Sequence, residues 1–182
     1  SPVLAKRSFI AVNGSLLAAR SALQYGISCH LAGGTHHSHF DFGSGFCVFN
    51  DLAFTALTLT KTKEVKNILI FDCDVHQGDG TARILENNDR TFTCSIHSSK
   101  NFPYRKANSD LDIGLEDNMS WFEYKKHLVE GLNKCIERFS PDLVLYVAGV
   151  DIHTKDKLGR LSIDDEGLFE REMTVLNFFK KR

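Results

Sequence analysis

Hydrophobic and polar positions follow two different patterns along the chain. One is the three-to-four-residue period of helices, and the other is the continuous apolar run of buried strands. Between Phe9 and Leu23 the apolar residues recur every three or four positions, which predicts an amphipathic helix over residues 8–26 that ends at Gly26. The same period and suitable capping residues predict four more helices: from Asn50 or Asp51 to about Thr60, over TARILEN, from Ser120 to about Phe139, and from Asp164 or Asp165 to the C-terminus.

Short runs of consecutive apolar residues lie between these helices, as in strands that are buried on both faces. They are ISCHLA, VKNILIFD, TFTCSIH and PDLVLYVAG. Because apolar strands alternate with amphipathic helices, the sequence predicts an α/β fold with three α/β/α layers around a mostly parallel sheet. Residues 33–45 and 97–118 remain as predicted loops, and ordered loops of that length are often functional.

Length and composition narrow the class of protein. The chain has 182 residues, which predicts one domain over residues 1–182, and its net charge of −1 gives no reason to expect nucleic acid or an acidic membrane as a partner. The longest apolar runs are too short to cross a bilayer, and no signal peptide is recognisable. The five cysteines form no C-x-x-C pair, so we expect a reduced, cytoplasmic protein, with disulfide bonds as the alternative.

A polar cluster follows each of the four predicted strands. These clusters are GGTHHSH, DCDVHQGDG, SIHSSKNF and GVDIHTKD. In an open parallel sheet, ligands bind in the crevice at the carboxyl ends of the strands. We therefore expect four loops to converge on one crevice.

The second of these clusters contains a candidate metal site. Asp72, Asp74 and His76 occupy alternate positions, so their side chains point the same way along an extended chain. Neighbouring buried carboxylates are costly unless a cation or hydrogen-bond donors neutralise them. We predict that Asp74, His76 and Asp151 bind a catalytic Zn²⁺ with one open position, although Fe²⁺, Co²⁺ or Mn²⁺ would also accept these ligands. The alternative is that Asp72 and Asp74 only cap the following helix.

The adjacent histidines His36 and His37 lie in the Gly-rich loop, and Asp72 and Asp79 are available as partners. A carboxylate on one ring nitrogen fixes the tautomer of an imidazole and raises its basicity. Two such pairs beside a metal predict metal-assisted hydrolysis with a histidine as general base.

Four segments, collinear over residues 30–170, carry a family resemblance: GGTHHS…SGFCVFND, FDCDVHQGDGT, SIHSSKNFP and AGVDIHTKDKLGRLSI. They resemble the zinc-dependent histone deacetylase family, which has an arginase/deacetylase-like fold. DVHQGDG and DKLGRLS are most similar to class IV and its bacterial homologues. The resemblance implies that the protein hydrolyses the N-acetyl amide of an acetyl-lysine protein or of an acetylated small molecule.

The resemblance also assigns roles to individual positions. The zinc ligands would be Asp74, His76 and Asp151. His37, oriented by Asp79, would act first as general base and then as acid to the leaving amine, while His36 with Asp72 would assist electrostatically. The walls of a narrow substrate tunnel would be Gly45, Phe46 and Phe102. A structural K⁺ would be bound, largely through backbone carbonyls, by Asp72, Asp74, His76, Ser95 and Ile96.

One departure from the family pattern concerns a tyrosine that polarises the acyl oxygen from a Gly-rich loop. The tyrosines of this chain are Tyr25, Tyr104, Tyr124 and Tyr146, and none has that context. We therefore expect the chain to be a fragment of a longer deacetylase, incomplete at both ends. Loss of an oxyanion donor typically costs about 10²–10³ in kcat, so we expect the isolated 182 residues to be weakly active or inactive.

Two other functions remain open. A pseudo-deacetylase that binds acetylated ligands or partner proteins would not need the tyrosine. A ureohydrolase with two Mn²⁺ ions would need further ligands at two positions that Gly78 and His153 occupy. The remaining histidines are expected to be structural or surface residues, with His97 and His153 as weak candidates near the site; they are His30, His39, His97, His127 and His153.

Overall fold

The computed structural model describes residues 1–180 as a parallel sheet surrounded by helices. The elements are α1 (Pro2–Tyr25), α2 (Asp51–Lys61), β1 (Ile68–Asp72), α3 (Asp79–Leu85), β2 (Thr91–Ser98), β3 (Leu111–Leu115), α4 (Trp121–Arg138), β4 (Leu143–Val147) and α5 (Asp165–Lys180). The strand order is β3-β2-β1-β4, and every neighbouring pair is parallel. The predicted α/β fold with a parallel sheet is confirmed.

The alternating side chains of β1 divide the core into two layers. All five residues of β1 are buried. Ile68 and Ile70 pack in a cluster with residues of α1 and α2, whereas Leu69 and Phe71 pack on the other face with residues of α4. Because helices cover both faces of the sheet, the central strand β1 is almost continuously apolar, and the three-layer arrangement follows.

Capping residues define several helix ends where the sequence predicts them. Asn50 accepts a hydrogen bond from the Ala53 amide (2.9 Å) at the start of α2, and Ser120 forms a capping box with Glu123 at the start of α4. Asp164 accepts from the Gly167 amide (2.8 Å) beside the first turn of α5. The predicted end of the last helix, at Arg182, lies outside the described residues.

Two sequence predictions at the N-terminal end are wrong. The segment ISCHLA is not a strand: Ile27, Cys29 and Leu31 are exposed in irregular structure, and within residues 1–180 no neighbouring strand pairs with them. α1 begins at Pro2 rather than at residue 8. The earlier start has a local cause, because the Ser1 side chain caps the Leu4 amide and proline is favourable in the first turn.

The predicted loop over residues 97–118 is also partly wrong, because it contains the edge strand β3. Its residues alternate between apolar and polar or small, and Leu111–Leu115 pair in register with Cys94–Ser98 of β2. A short edge strand that carries a charge resists pairing with other chains, and it gives a weaker sequence signal than a central strand.

Two further observations concern the whole described chain. None of the helices within residues 1–180 combines the length and the apolar character that a membrane crossing requires. The five cysteines are all free thiols, and three of them, Cys73, Cys94 and Cys135, are buried. The three buried cysteines act as small apolar core residues.

Candidate metal centre and active-site pocket

A cavity of about 730 Å³ lies at the carboxyl-end side of the sheet. Loops that follow β1, β2 and β4 line it, as predicted, together with the loop between α1 and α2. The fourth loop therefore comes from a helix and not from the expected strand. The cavity wall includes His36, His37, Gly45, Asp74, His76 and Phe102.

Three ligand-type side chains converge in this region. One ligating atom each from Asp74, His76 and Asp151 lies within 4.8 Å of the others, the one such group of three among residues 1–180. The Nδ1 atom of His76 is 3.0 Å from an oxygen of each carboxylate. Two carboxylate oxygens and one imidazole nitrogen form a donor set that fits Zn²⁺, Fe²⁺, Co²⁺ or Mn²⁺.

Local hydrogen bonds shape the loop that carries two of these residues. β1 ends at Asp72, and its carboxylate accepts a hydrogen bond from the Asp74 amide (3.0 Å). The Asp74 carboxylate accepts from the His76 amide (2.9 Å), and Asp151 accepts from the Val75 amide (2.9 Å). These hydrogen-bonded turns, and not the geometry of a strand, orient the side chains of Asp74 and His76. Helix α3 begins after Gly78 without a side-chain cap, so the helix-capping alternative for Asp72 and Asp74 is wrong.

The two adjacent histidines each contact a different carboxylate. His36 Nδ1 is 2.6 Å from Asp72 Oδ2, and His37 Nδ1 is 2.7 Å from Asp79 Oδ1. All four residues are buried. Since each carboxylate accepts a hydrogen bond from Nδ1–H, the Nε2 atom of the ring is left as an acceptor whenever the ring is neutral.

A third imidazole, which the sequence analysis did not single out, shares one of these carboxylates. His39 Nε2 is 3.1 Å from Asp79 Oδ2, and its ring stacks on Phe42 with centroids 4.3 Å apart. Asp79 therefore contacts both His37 and His39. The only sequence signal is the two-residue spacing, which places alternate side chains on one side of an extended loop.

The two rings of the adjacent pair differ in electrostatics. Burial opposes a charge on His36, but the carboxylates of Asp72 and Asp74 outweigh it and raise its pKa from 6.5 to about 10. Burial lowers the pKa of His37, with only partial compensation by Asp79. His36 therefore favours the charged form and His37 the neutral form at pH 7.

The carboxylates also create a field that favours positive charge between the three ligand-type residues. Burial opposes protonation of His76, yet its contacts with Asp151 and Asp74 raise its pKa to about 9. Burial, followed by the nearby charge of Asp74, raises the pKa of Asp151. A divalent cation would relieve the repulsion between the two carboxylates, as a proton on the imidazole partly does.

The loop that carries the histidine pair is held by Asp51 at the start of α2. Its buried carboxylate accepts hydrogen bonds from the Gly34 amide (3.0 Å), the Thr35 amide (2.7 Å) and the Thr35 hydroxyl (2.7 Å), and also from the Ser15 hydroxyl. His30 in turn contacts the Ser15 hydroxyl at 2.9 Å. One carboxylate thus connects α1, α2 and the loop that leads to His36.

We expect Asp51→Ala to lower the free energy of unfolding by about 3 kcal/mol, because four donors lose a charged acceptor in a partly buried site. Urea denaturation followed by circular dichroism measures the change. Asp41→Ala, at an exposed position of the same loop, is the matched control and should leave the midpoint unchanged. Equal midpoints for the two variants would contradict this role of Asp51.

The predicted tunnel residues differ in placement. The Phe102 ring lies 4.9 Å from the His37 ring and 6.4 Å from the His76 ring, measured between centroids. Gly45 has a φ of +50°, and an added Cβ would collide with the His37 ring. Phe46 lines the cavity mouth but its side chain is fully exposed. Phe102 and Gly45 therefore contact the catalytic candidates, whereas Phe46 contributes only to the rim.

The remaining candidates lie around this centre. Asp72 and Ser95, two of the five residues predicted to bind potassium, are register partners in neighbouring strands. His97 contacts the Ser95 hydroxyl (3.0 Å), and His153 pairs with Asp165 (3.1 Å), so neither joins the three ligand-type residues. Of the four tyrosines, only Tyr104 lines the cavity, at an exposed rim position.

Fold and site together define an α/β protein with a carboxylate–imidazole centre at the carboxyl ends of a parallel sheet. A family model described as the histone deacetylase domain matches residues 1–182, and the chain belongs to this family. The family resemblance inferred from the sequence motifs is confirmed.

Comparison with individual proteins agrees with this assignment. The chain is 45% identical over 172 residues to an uncharacterized protein of Picosynechococcus sp., covering 94% of this chain and 57% of that protein. It is 30% identical over 174 residues to histone deacetylase 2 of Arabidopsis thaliana, covering 94% and 45% respectively. The crystal structure of a histone deacetylase homologue from Aquifex aeolicus superposes with a TM-score of 0.85 at 24% identity, covering 94% and 50%. The chain thus spans about half the length of the relatives it matches.

Proposed function

We propose that the full-length protein hydrolyses N-acyl amides, with an N-acetylated amine such as acetyl-lysine as substrate. The observation that carries this proposal is the position of Asp74, His76 and Asp151 beside two histidine–carboxylate pairs at one cavity. Membership of the histone deacetylase domain family supports it.

Asp74, His76 and Asp151 would hold a divalent ion, Zn²⁺ in the first place and Fe²⁺ or Co²⁺ as alternatives. When bound, the ion supplies a Lewis acid that lowers the pKa of a water molecule and polarises the acyl oxygen. The protein keeps the three side chains in place through hydrogen bonds to the Val75 and His76 amides.

His37 would be the general base. Its Nδ1–H donates to Asp79, so its Nε2 is free to accept a proton from water and to deliver it to the leaving amine. Burial lowers its pKa, which keeps the ring neutral and ready to accept. The Phe102 ring meets the same ring in a T-shaped contact and would limit the access of bulk water.

His36 would have an electrostatic role. The carboxylates of Asp72 and Asp74 stabilise its charged form, and its Nε2 is 3.7 Å from Asp74 Oδ1. A charge fixed beside the reacting oxygen stabilises negative charge that develops in the transition state. The two rings would therefore divide the work: His37 transfers protons, and His36, held by Asp72, assists electrostatically.

The tunnel assignment leads to a prediction for Gly45. We expect Gly45→Ala to lower turnover roughly 10²-fold, because its Cβ would displace the His37 ring and small displacements of a catalytic group are costly. Gly43→Ala is not a neutral comparison, since its Cβ would meet the Cys47 carbonyl. Gly26→Ala is a better control, because it has a positive φ but open space around it. A steady-state assay of both variants, with bound metal measured in parallel, separates the effects; equal turnover would contradict the assignment.

The di-metal alternative is disfavoured by packing. A Cβ at Gly78 would lie 2.5 Å from Asp72 Oδ2 and 3.3 Å from His36 Nδ1, so this position has no room for a further ligand. His153 is already paired with Asp165. Both observations support a single metal ion per chain.

The direct test uses the full-length protein purified with zinc. Acetate release is measured from an acetyl-lysine peptide and from an acetylated polyamine, which distinguishes a protein substrate from a small one. Release from either compound supports the proposal. Binding of both compounds without release would favour the pseudo-deacetylase alternative.

Three expectations from the sequence stay predictions: the class IV assignment, the cytoplasmic location, and the binding of K⁺ by Asp72, Asp74, His76, Ser95 and Ile96.

A further inference from the structure

A fully buried arginine lies under the metal centre. Arg171 is on α5, far along the chain from the ligand-bearing loop, and it has no exposed surface. A buried guanidinium is costly unless its donors find partners. Its Nε and Nη2 both donate to Glu172, the Nε bond being 2.9 Å long, and this carboxylate balances the charge.

Arg171 also donates to two backbone carbonyls. Its Nη1 donates to the Cys73 oxygen at 3.0 Å and to the Gly149 oxygen at 2.7 Å. Cys73 directly precedes Asp74, and Gly149 precedes Asp151 by two positions. One nitrogen atom thus connects the two loops that supply all three ligand-type side chains.

These loops meet where the sheet no longer holds them. The ladder between β1 and β4 continues one step beyond the strands, with the Cys73 amide donating to the Val147 carbonyl (3.0 Å). At the next step the backbones are in close contact, because a Cβ on Gly149 would lie 2.7 Å from the Cα atom of Asp74. The Arg171 contacts replace the missing ladder bonds at that point.

We propose that Arg171 is a positioning residue that sets the separation of the Asp74–His76 loop and the Asp151 loop, and thereby the affinity and geometry of the metal site. The inference rests on the proposed metal site. Glu172 holds the guanidinium through two donors, which leaves Nη1 directed at the two carbonyls. Lysine cannot replace this arrangement, since it lacks the planar fork.

The test measures metal binding in the full-length protein, independently of activity. Zinc affinity is obtained by competition with a chelator for wild type, Arg171→Met and Arg171→Lys, and the visible spectrum of the Co²⁺-loaded proteins reports coordination geometry. Loss of an outer partner of a metal site typically costs ~10–100-fold in affinity, and we expect both variants to show this loss with altered Co²⁺ bands.

Val175→Ala is the control, because Val175 is fully buried one turn later on α5 and has no polar contact with either loop. It should lower the melting temperature while the affinity and the Co²⁺ spectrum stay those of wild type. If Arg171→Met fails to fold, Glu172→Ala is measured instead. This variant keeps the arginine but removes the carboxylate that accepts hydrogen bonds from its Nε and Nη2 atoms, and we expect the same loss of zinc affinity. Wild-type affinity and spectrum in the folded Arg171 variant, or in Glu172→Ala, would overturn the inference. A wild-type protein that binds no zinc would overturn the proposed function itself.

Discussion

Stripping the divalent metal from the full-length protein is expected to reduce hydrolysis of an acetyl-lysine peptide by about 10³-fold or more. The reason is that Asp74, His76 and Asp151 have no other means of polarising the acyl oxygen: they are two anions and one imidazole. Metal catalysis is worth several kcal/mol of transition-state stabilisation, and each 1.4 kcal/mol is about tenfold in rate.

The measurement is turnover after dialysis against a chelator, followed by stoichiometric addition of Zn²⁺, Fe²⁺, Co²⁺ or Mn²⁺. Asp151→Asn should reproduce the loss and lower the bound metal, because it removes a charged ligand. Asp89→Asn is the matched control, since it makes the same chemical change at an exposed turn. Undiminished turnover by the stripped protein would refute the metal-centred mechanism.

Replacement of His37 by alanine is expected to lower turnover by ~10²–10⁴-fold, the range typical of general acid–base catalysis. The bound metal should stay unchanged, because His37 contacts Asp79 and is not one of the three ligand-type residues. This combination, lost rate with retained metal, distinguishes a base from a ligand.

His127→Ala provides the comparison, since His127 lies on α4 away from the cavity. Asp79→Asn tests the partner: it should cause a smaller loss, because the imidazole remains but its tautomer is no longer fixed. Near-normal turnover by a metal-loaded His37→Ala protein would show that another group takes the proton.

The sequence predicted the parts of the fold and site that depend on short-range pattern. β1 is almost continuously apolar and β2 is continuously buried because helices cover both faces, and Asn50 and Ser120 mark the starts of their helices through local capping chemistry. The residues of the site were recognisable because Asp74 and His76 are close in sequence and His36 and His37 are adjacent in a Gly-rich segment.

What the sequence did not reveal depends on tertiary contacts. The apolar run ISCHLA is exposed, and only knowledge of its neighbours distinguishes it from a strand. β3 carries a polar residue and a glycine within its alternation, and its pairing with β2 decides its conformation. Arg171 sits 98 residues from Cys73, its carbonyl partner, and no local pattern could connect them. His39 has only the two-residue spacing from His37 as a signal, because its partner Asp79 lies on another element.

The floor and the walls of the cavity come from different parts of the molecule. Asp74 and His76 directly follow the central strand β1, whereas the exposed lining residues Phe46, Tyr104 and Leu158 belong to longer loops between elements. Exposed loops tolerate sequence changes more readily than the buried ends of strands do. We therefore expect substitutions at Phe46, Tyr104 and Leu158 to change which acyl compound enters the proposed active site while its catalytic candidates are kept, which makes these three positions the natural targets for engineering selectivity.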